Sequence, residues 1–142
     1  TSITWDKGFE FIATIKEKAK SIIKEISGKE STVTCRLTHT YPDGLAPYFS
    51  YSTYAKPTDM IEVWKEIKLA TNELCVSLNG TVTHHHAVGR DHRINGYDIQ
   101  VPKGFKEMLQ VAKKKVDPNS IMNPGVLIDP EDRVIKHWMK ES

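Results

Sequence analysis

Cysteine is scarce in this sequence, which has only Cys35 and Cys75 in 142 residues. Two cysteines are too few for the disulfide framework that stabilises small secreted domains. Each of them falls on the apolar side of a predicted element, so we expect buried free thiols. Free thiols fit a reducing compartment, and we therefore expect a cytoplasmic protein.

Long apolar runs and a strong charge excess are also absent. No run approaches the roughly 20 residues that a membrane-spanning helix needs. The formal net charge of +2 is too small to indicate a nucleic-acid partner. Residues 1–5 lack an initiator Met and the basic start and apolar core of a signal peptide. We therefore expect the chain to be the last part of a longer protein.

The hydrophobic pattern predicts a helix, two strands, a helix, a strand and a helix, in that order. This is a ferredoxin-like split βαβ pattern without its opening strand. We therefore expect an α+β fold: an antiparallel sheet with helices on one face, plus a C-terminal helix and an extended tail. The missing strand would lie centrally, so residues 2–4 are its remnant or another segment completes the sheet. The predicted ranges are 5–26, 32–40, 45–54, 56–80, 81–85 and 102–115, with a connection at 94–101 and the tail at 129–142.

Alternation in the first predicted strand assigns its residues to two faces. Val33, Cys35, Leu37 and His39 are expected on one face, and Arg36 on the opposite, polar face. On this basis His39 is interpreted as a core or edge histidine. In the C-terminal helix, the spacing predicts that the apolar residues Phe105, Leu109 and Ala112 or Val116 are buried.

A histidine cluster in residues 80–93 is the most unusual feature of the chain. Residues 81–85 are rich in β-branched residues and predict a strand, and Gly89 permits a turn after it. Side chains alternate along a strand, so His84 and His86 would share one face, with His85 on the other. Two ligands are too few for zinc, and we predict no metal site. The cluster, with His92 close by, suits an anionic ligand or a cofactor oxygen, whereas the simpler alternative is a polar surface strand.

Four motifs follow one another along the chain. They are Cys35-Arg36-Leu37-Thr38 with Tyr41, Asp43 and Gly44; Tyr48-Phe49; His84-His85-His86 with Val88-Gly89-Arg90; and Asp117-Pro118-Asn119 with Ile121 and Asn123-Pro124-Gly125. Together they resemble the C-terminal region of FAD-linked oxidases of the vanillyl-alcohol-oxidase type. Within that superfamily the chain is most similar to alkyldihydroxyacetonephosphate synthase and its bacterial and archaeal relatives.

The resemblance implies a division of labour between two domains. An N-terminal domain absent from this chain would hold most of the FAD, and residues 1–128 would form a cap over the isoalloxazine. The implied reaction exchanges the acyl group of acyl-dihydroxyacetone phosphate for a fatty alcohol, with the flavin as a covalent partner. The parent enzyme is expected to be cytoplasmic or peripheral to a membrane. The chain alone is expected to be inactive, and its exposed sheet edge favours a homodimer.

The resemblance also implies roles for individual residues. Tyr48 would act as acid and base, and the three histidines of the triplet would also be catalytic. Two residues depart from the pattern, because Ala87 replaces a common glycine and Val126 a common lysine. The implied ligand contacts are Arg36 and Arg90 for a phosphorylated substrate, and His85, His86 and Asn123 for the cofactor.

Two other functions stay open at this point. One is the cap of an FAD-dependent dehydrogenase for D-lactate, glycolate or another 2-hydroxy acid. Such enzymes tend to carry Glu-His-Gly where this chain has His84-His85-His86, so the triplet favours the synthase. The other is a free-standing ferredoxin-like module that binds an anion or a metal.

Overall fold

A computed structural model describes residues 1–128 of the chain. The predicted tail, residues 129–142, lies outside the described residues. Three antiparallel strands form one sheet in the order β1-β3-β2. Their bounds are β1, Ile3–Thr4; β2, Thr32–Thr40; and β3, Gly44–Ser52.

Two long helices pack against each other and against the sheet. The first of them is capped by Gly28, which has φ 67° and donates its backbone N–H to the Lys24 carbonyl over 2.9 Å, as the predicted helix end requires. The predicted α+β class with a ferredoxin-like arrangement is confirmed. The helices are α1, Trp5–Ser27; α2, Met60–Ser77; the short α3, Asp98–Gln100; and α4, Lys103–Val116.

The core lies between the helices and one face of the sheet. Residues of α1 at helical spacing bury their side chains against β3, α2 and Val82, because a helix can hide only one stripe of its surface. A second cluster joins the later turns of α1 to β2 and α2. The buried residues of both clusters are Ile3, Phe11, Ile15, Ala19, Ile23, Val33, Leu45, Ile67, Leu74, Cys75 and Val82.

A β-bulge corrects the predicted faces of β2. Arg36 pairs with Tyr48 on β3, but the register shifts between Leu37 and His39, so that His39 lies opposite Ala46. Directly opposite residues share a face, and Ala46 is two residues from Tyr48. His39 therefore lies exposed on the polar face with Arg36, so its interpretation as a core histidine is wrong, whereas the alternative of an edge histidine agrees with the position of β2 at the edge of the sheet.

The predicted histidine strand is not formed. Thr81 makes an isolated bridge with Ser2 and donates its N–H to the Ser2 carbonyl over 3.0 Å. Residues 82–86 then bend instead of extending along a strand. A strand needs a hydrogen-bonded neighbour, and no described residue extends beside this segment beyond Ser2.

The apolar side of α4 is exposed, contrary to the predicted burial. Phe105 is 49% exposed and Val116 83%, while Leu109 is half-buried and Ala112 is exposed. The connection before α4 contains short helical turns, including a 3₁₀ turn at Arg90–His92. Within residues 1–128, none of the helices is both long and apolar enough to cross a bilayer.

Candidate functional site

Histidine and tyrosine rings gather on the sheet face opposite the helices. The bent segment after Thr81 lies over the bulged end of the hairpin. There the Tyr41 hydroxyl lies 2.8 Å from His84 Nε2. The rings of His39 and His85 meet edge to face with centroids 4.6 Å apart, and those of His85 and His86 are 4.5 Å apart. The bend thus collects four histidines, whereas a straight strand would divide the triplet between two faces.

Tyr48 lies between a cation and an imidazole. The guanidinium carbon of Arg36 lies 4.8 Å from the centroid of the Tyr48 ring, and the His86 ring lies 5.8 Å from the same ring. A guanidinium over an aromatic face is attracted by the ring and keeps its N–H donors free for an anion. Arg36 and Tyr48, two predicted site residues, are therefore neighbours.

The surroundings of His85 favour its neutral imidazole form at physiological pH. Loss of hydration, followed by the nearby imidazoles of His86 and His39, lowers the pKa of His85. A neutral imidazole has one N–H donor and one acceptor nitrogen. His85 can therefore hydrogen-bond a ligand in either sense without introducing a charge.

A cavity of roughly 230 Å³ opens behind the histidines, between β3 and α2. His92 and Lys68 meet at its wall, with 2.9 Å between Lys68 Nζ and His92 Nε2. His92 Nδ1 lies 2.8 Å from the Val88 carbonyl, which can only accept, so Nδ1 carries the proton and Nε2 accepts from Lys68. Burial, and then Lys68, lowers the pKa of His92, and burial also lowers the pKa of Lys68.

Arg90 and Asn123 belong to a different group of residues. An Nη atom of Arg90 donates to the Pro124 carbonyl over 2.7 Å, and Arg93 donates to the Gly125 carbonyl over 3.2 Å. Asn123 begins this turn in the left-handed region, with φ 45°. The two arginines thus hold the Asn-Pro-Gly turn, a structural contact that the sequence did not indicate for Arg90.

Sequence reasoning missed several residues of the site. His39 was placed on the apolar face of the strand because the bulge has no evident sequence signature. Tyr41 was noted as part of the first motif, but no role at the site was predicted for it. Lys68 has no signal that separates it from other helix lysines. Among residues 1–128, no group of three or more His, Cys, Asp or Glu side chains is placed to hold a metal ion.

Comparison with known proteins finds a family model of FAD-linked oxidases and relatives that are named as alkyldihydroxyacetonephosphate synthases or FAD-linked oxidoreductases. Residues 1–127 match the family model described as FAD linked oxidases, C-terminal domain. Alkyldihydroxyacetonephosphate synthase from Trypanosoma brucei brucei is 26% identical over 133 residues, covering 90% of this chain and 21% of that protein. The Caenorhabditis elegans protein of that name is 28% identical over 131 residues, covering 91% of this chain and 22% of its own length.

A second kind of relative matches over a shorter region. The uncharacterized FAD-linked oxidoreductase YgcU of Escherichia coli O157:H7 is 30% identical over 94 residues, covering 63% of this chain and 19% of that protein. No solved structure gives a significant match. The chain spans about one fifth of the length of the curated relatives it matches. Since the family model covers nearly all of the described residues, the chain belongs to the family of C-terminal domains of FAD-linked oxidases.

Proposed function

We propose that this chain is the substrate-binding cap of an FAD-dependent enzyme of the alkyldihydroxyacetonephosphate synthase type. The main observation is the position of Tyr48 between Arg36 and His86 on the open sheet face. Such a position would suit an acid/base tyrosine whose ring lies beside an anion-binding guanidinium. Relatives bearing the synthase name match nine tenths of the chain, which supports the same assignment.

The residues of this face suit one wall of a flavin site. Imidazole and phenol rings offer flat surfaces, and their N–H and O–H groups can donate to the oxygens and nitrogens of a flavin. Diphosphate groups usually bind at a glycine-rich turn that opens a helix. Within the described residues, the segments that lead into α2 and α4 contain no such turn. FAD would therefore be held mainly by another domain, with His85 and His86 on the cap side.

The proposed roles of the cap residues follow from the chemistry of their side chains. Arg36 would bind the phosphate of a dihydroxyacetone phosphate ester, because a guanidinium can donate two hydrogen bonds to one phosphate. Tyr48 would give and take the substrate proton beside it. The neutral imidazole of His85 would orient a substrate oxygen. FAD, when bound, supplies the isoalloxazine ring at which the exchange of acyl group for fatty alcohol takes place.

The chain alone is proposed to be inactive, because it forms only one side of the site. The test is to record the visible spectrum of the chain, of the FAD-binding domain of its parent protein, and of their mixture. Acyl-dihydroxyacetone phosphate and a long-chain alcohol are then added. Formation of the ether product only in the mixture supports the proposal.

Two outcomes of the same experiment contradict it. Bleaching of the flavin by D-lactate or glycolate, without ether product, would assign the cap to a 2-hydroxy-acid dehydrogenase. Tight binding of a phosphate ester by the chain alone, with no effect of the mixture, would indicate a free-standing binding module. An Arg36→Leu variant should weaken only the phosphate-dependent response in the productive mixture.

A further inference from the structure

Tyr41 lies among the histidine rings, yet the proposed chemistry gives it no role. Its backbone is held at both polar groups. The Tyr41 N–H donates to the Gly44 carbonyl over 2.8 Å, and the Tyr41 carbonyl accepts from Trp5 Nε1 over 2.7 Å. The first contact joins the two ends of the hairpin turn, and the second ties the turn to the start of α1. The turn therefore presents the Tyr41 ring from a fixed backbone, which lowers the entropy that its side chain loses in making a contact.

The Tyr41 ring contacts two histidine rings that themselves pack against His85. It lies nearly parallel to the His39 ring, at an interplanar angle of 6° and with centroids 6.1 Å apart. It meets the His84 ring at 70°, with centroids 5.4 Å apart. The His85 ring lies 4.6 Å from His39 and 5.7 Å from His84. A change in the position of Tyr41 would thus reach His85 through two separate neighbours.

The hydrogen bond between Tyr41 and His84 has a preferred direction. The Tyr41 hydroxyl lies 2.8 Å from His84 Nε2. A phenol is a stronger acid than a neutral imidazole, and an imidazole nitrogen is a stronger base than a phenol oxygen, so the hydroxyl donates to Nε2. A neutral imidazole that accepts at Nε2 carries its proton on Nδ1. The contact therefore selects the tautomer of His84 as well as the orientation of its ring.

The backbone of the histidine triplet does not fix its rings. The Thr83 hydroxyl donates to the His86 carbonyl over 2.9 Å, which holds the bend in the main chain. The side chains of the triplet are exposed, and exposed side chains change rotamer on the picosecond to nanosecond timescale unless a contact holds them. The hydrogen bond from Tyr41 supplies such a contact at His84.

We infer that Tyr41 is a positioning residue of the site: its hydroxyl holds the His84 ring in the Nδ1–H form, and His84 together with His39 keeps His85 in place. The use of His85 by a ligand rests on the proposed function, whereas the tautomer of His84 and the packing of the rings do not. A role of Tyr41 in the turn alone would need only its backbone and its ring. The hydroxyl group therefore separates the two roles.

NMR of the full chain with ¹⁵N-labelled histidine tests the inference directly. The variant is Tyr41→Phe, which keeps the ring and the backbone contacts, and the matched control is Tyr54→Phe on an 81% exposed tyrosine. The ratio of the Nδ1–H to the Nε2–H form of neutral His84 should fall about fivefold in Tyr41→Phe, because one hydrogen bond to Nε2 is lost. Nuclear Overhauser effects between the ring protons of His84 and His85 should weaken in the same variant. Tyr54→Phe should change neither measurement.

Kinetics of the enzyme reconstituted with its FAD domain give the second readout. Tyr41→Phe should lower kcat about tenfold or more while KM changes little, since a displaced imidazole reduces the fraction of productive complexes. An unchanged tautomer ratio of His84 in Tyr41→Phe overturns the inference, and so does a changed ratio with an unaltered kcat. If the unaltered mixture forms no ether product, the proposed function fails, and the tautomer ratio and the ring contacts in the chain alone still decide the role of Tyr41.

Discussion

Arg93 and Asp98 form a two-point ion pair in the interior, with 3.0 Å from Nε to Oδ2 and 3.1 Å from Nη2 to Oδ1. The Arg93 side chain is fully buried, and its Nη1 reaches the Gly125 carbonyl. Lys106 of α4 donates to Asp98 over 2.9 Å. One buried guanidinium thus ties the turn after the histidines to the C-terminal segment.

Removal of the carboxylate from this pair should destabilise the domain severely. Asp98→Ala removes the carboxylate that contacts the buried Arg93 at two points, and we expect a loss of about 3–5 kcal/mol in the free energy of unfolding. Glu107→Ala is the control, because Glu107 meets Lys103 at 3.9 Å on the exposed surface, where a pair contributes less than about 1 kcal/mol. Urea unfolding measures both, and equal losses would contradict the structural role of the buried pair.

The proposed acid/base role of Tyr48 predicts a specific loss of turnover. In the enzyme reconstituted with its FAD domain, Tyr48→Phe should lower kcat about 10²- to 10⁴-fold, since the transferable proton is lost while the ring remains. The flavin spectrum should be unchanged. Tyr54→Phe is the matched control on an 81% exposed tyrosine. An unaltered kcat in Tyr48→Phe would remove this residue from the chemistry.

The pair of Lys68 and His92 predicts a pH-dependent change in stability. The pKa of His92 is lowered in the folded chain. Just below about pH 6.5, His92 is therefore protonated to a greater extent in the unfolded chain than in the folded chain. The free energy of unfolding should therefore fall as the pH drops below that value. His92→Asn should reduce this dependence in urea unfolding at pH 7 and pH 5. An unchanged slope would show that His92 does not contribute.

One substitution distinguishes the two causes of the lowered His92 pKa. Burial is the larger cause and the Lys68 charge the smaller, so Lys68→Met should raise the His92 pKa without restoring its usual value. NMR titration of the His92 ring measures the midpoint. A midpoint that does not move, or one that falls, would contradict the contact between Nζ and Nε2.

Two glycines predict opposite effects of the same added methyl group. A Cβ at Gly80 would lie 2.5 Å from ring atoms of Phe11, which is 3% exposed and has no room to move. Gly80→Ala should cost about 1–3 kcal/mol through overpacking. A Cβ at Gly104 in α4 meets nothing within 4 Å, so Gly104→Ala should stabilise by up to about 1 kcal/mol. Thermal unfolding distinguishes them, and a neutral Gly80→Ala would show that the ring yields.

The helices and the hairpin were predictable because their signals are local. Helical spacing placed α1 and α2, and apolar alternation placed the first strand of the hairpin, with the second strand following it in the correct order. The face of His39 was not predictable, since the bulge after Leu37 depends on the register with β3. Local alternation shows which residues share a face only while the pairing stays regular.

The remaining errors concern contacts between segments that are distant in the sequence, which a local sequence pattern does not reveal. The β-branched residues around Thr81 favour a strand, but a strand forms only beside another strand. The spacing of Phe105 and Leu109 shows that α4 has an apolar side, not what covers it. The contact of Lys68 with His92 joins residues of two elements, and nothing in either segment indicates the other.

Pro47 has a consequence for how the domain behaves in solution. It lies on the β1 side of β3, where its carbonyl accepts from Thr1 and its nitrogen has no hydrogen to donate. A strand from another molecule that displaced residues 1–4 would lose one rung of the ladder at this position. Proline at a strand edge is a common means of discouraging aggregation. Pro47→Ala should accordingly make the isolated domain more prone to form fibrils or amorphous precipitate.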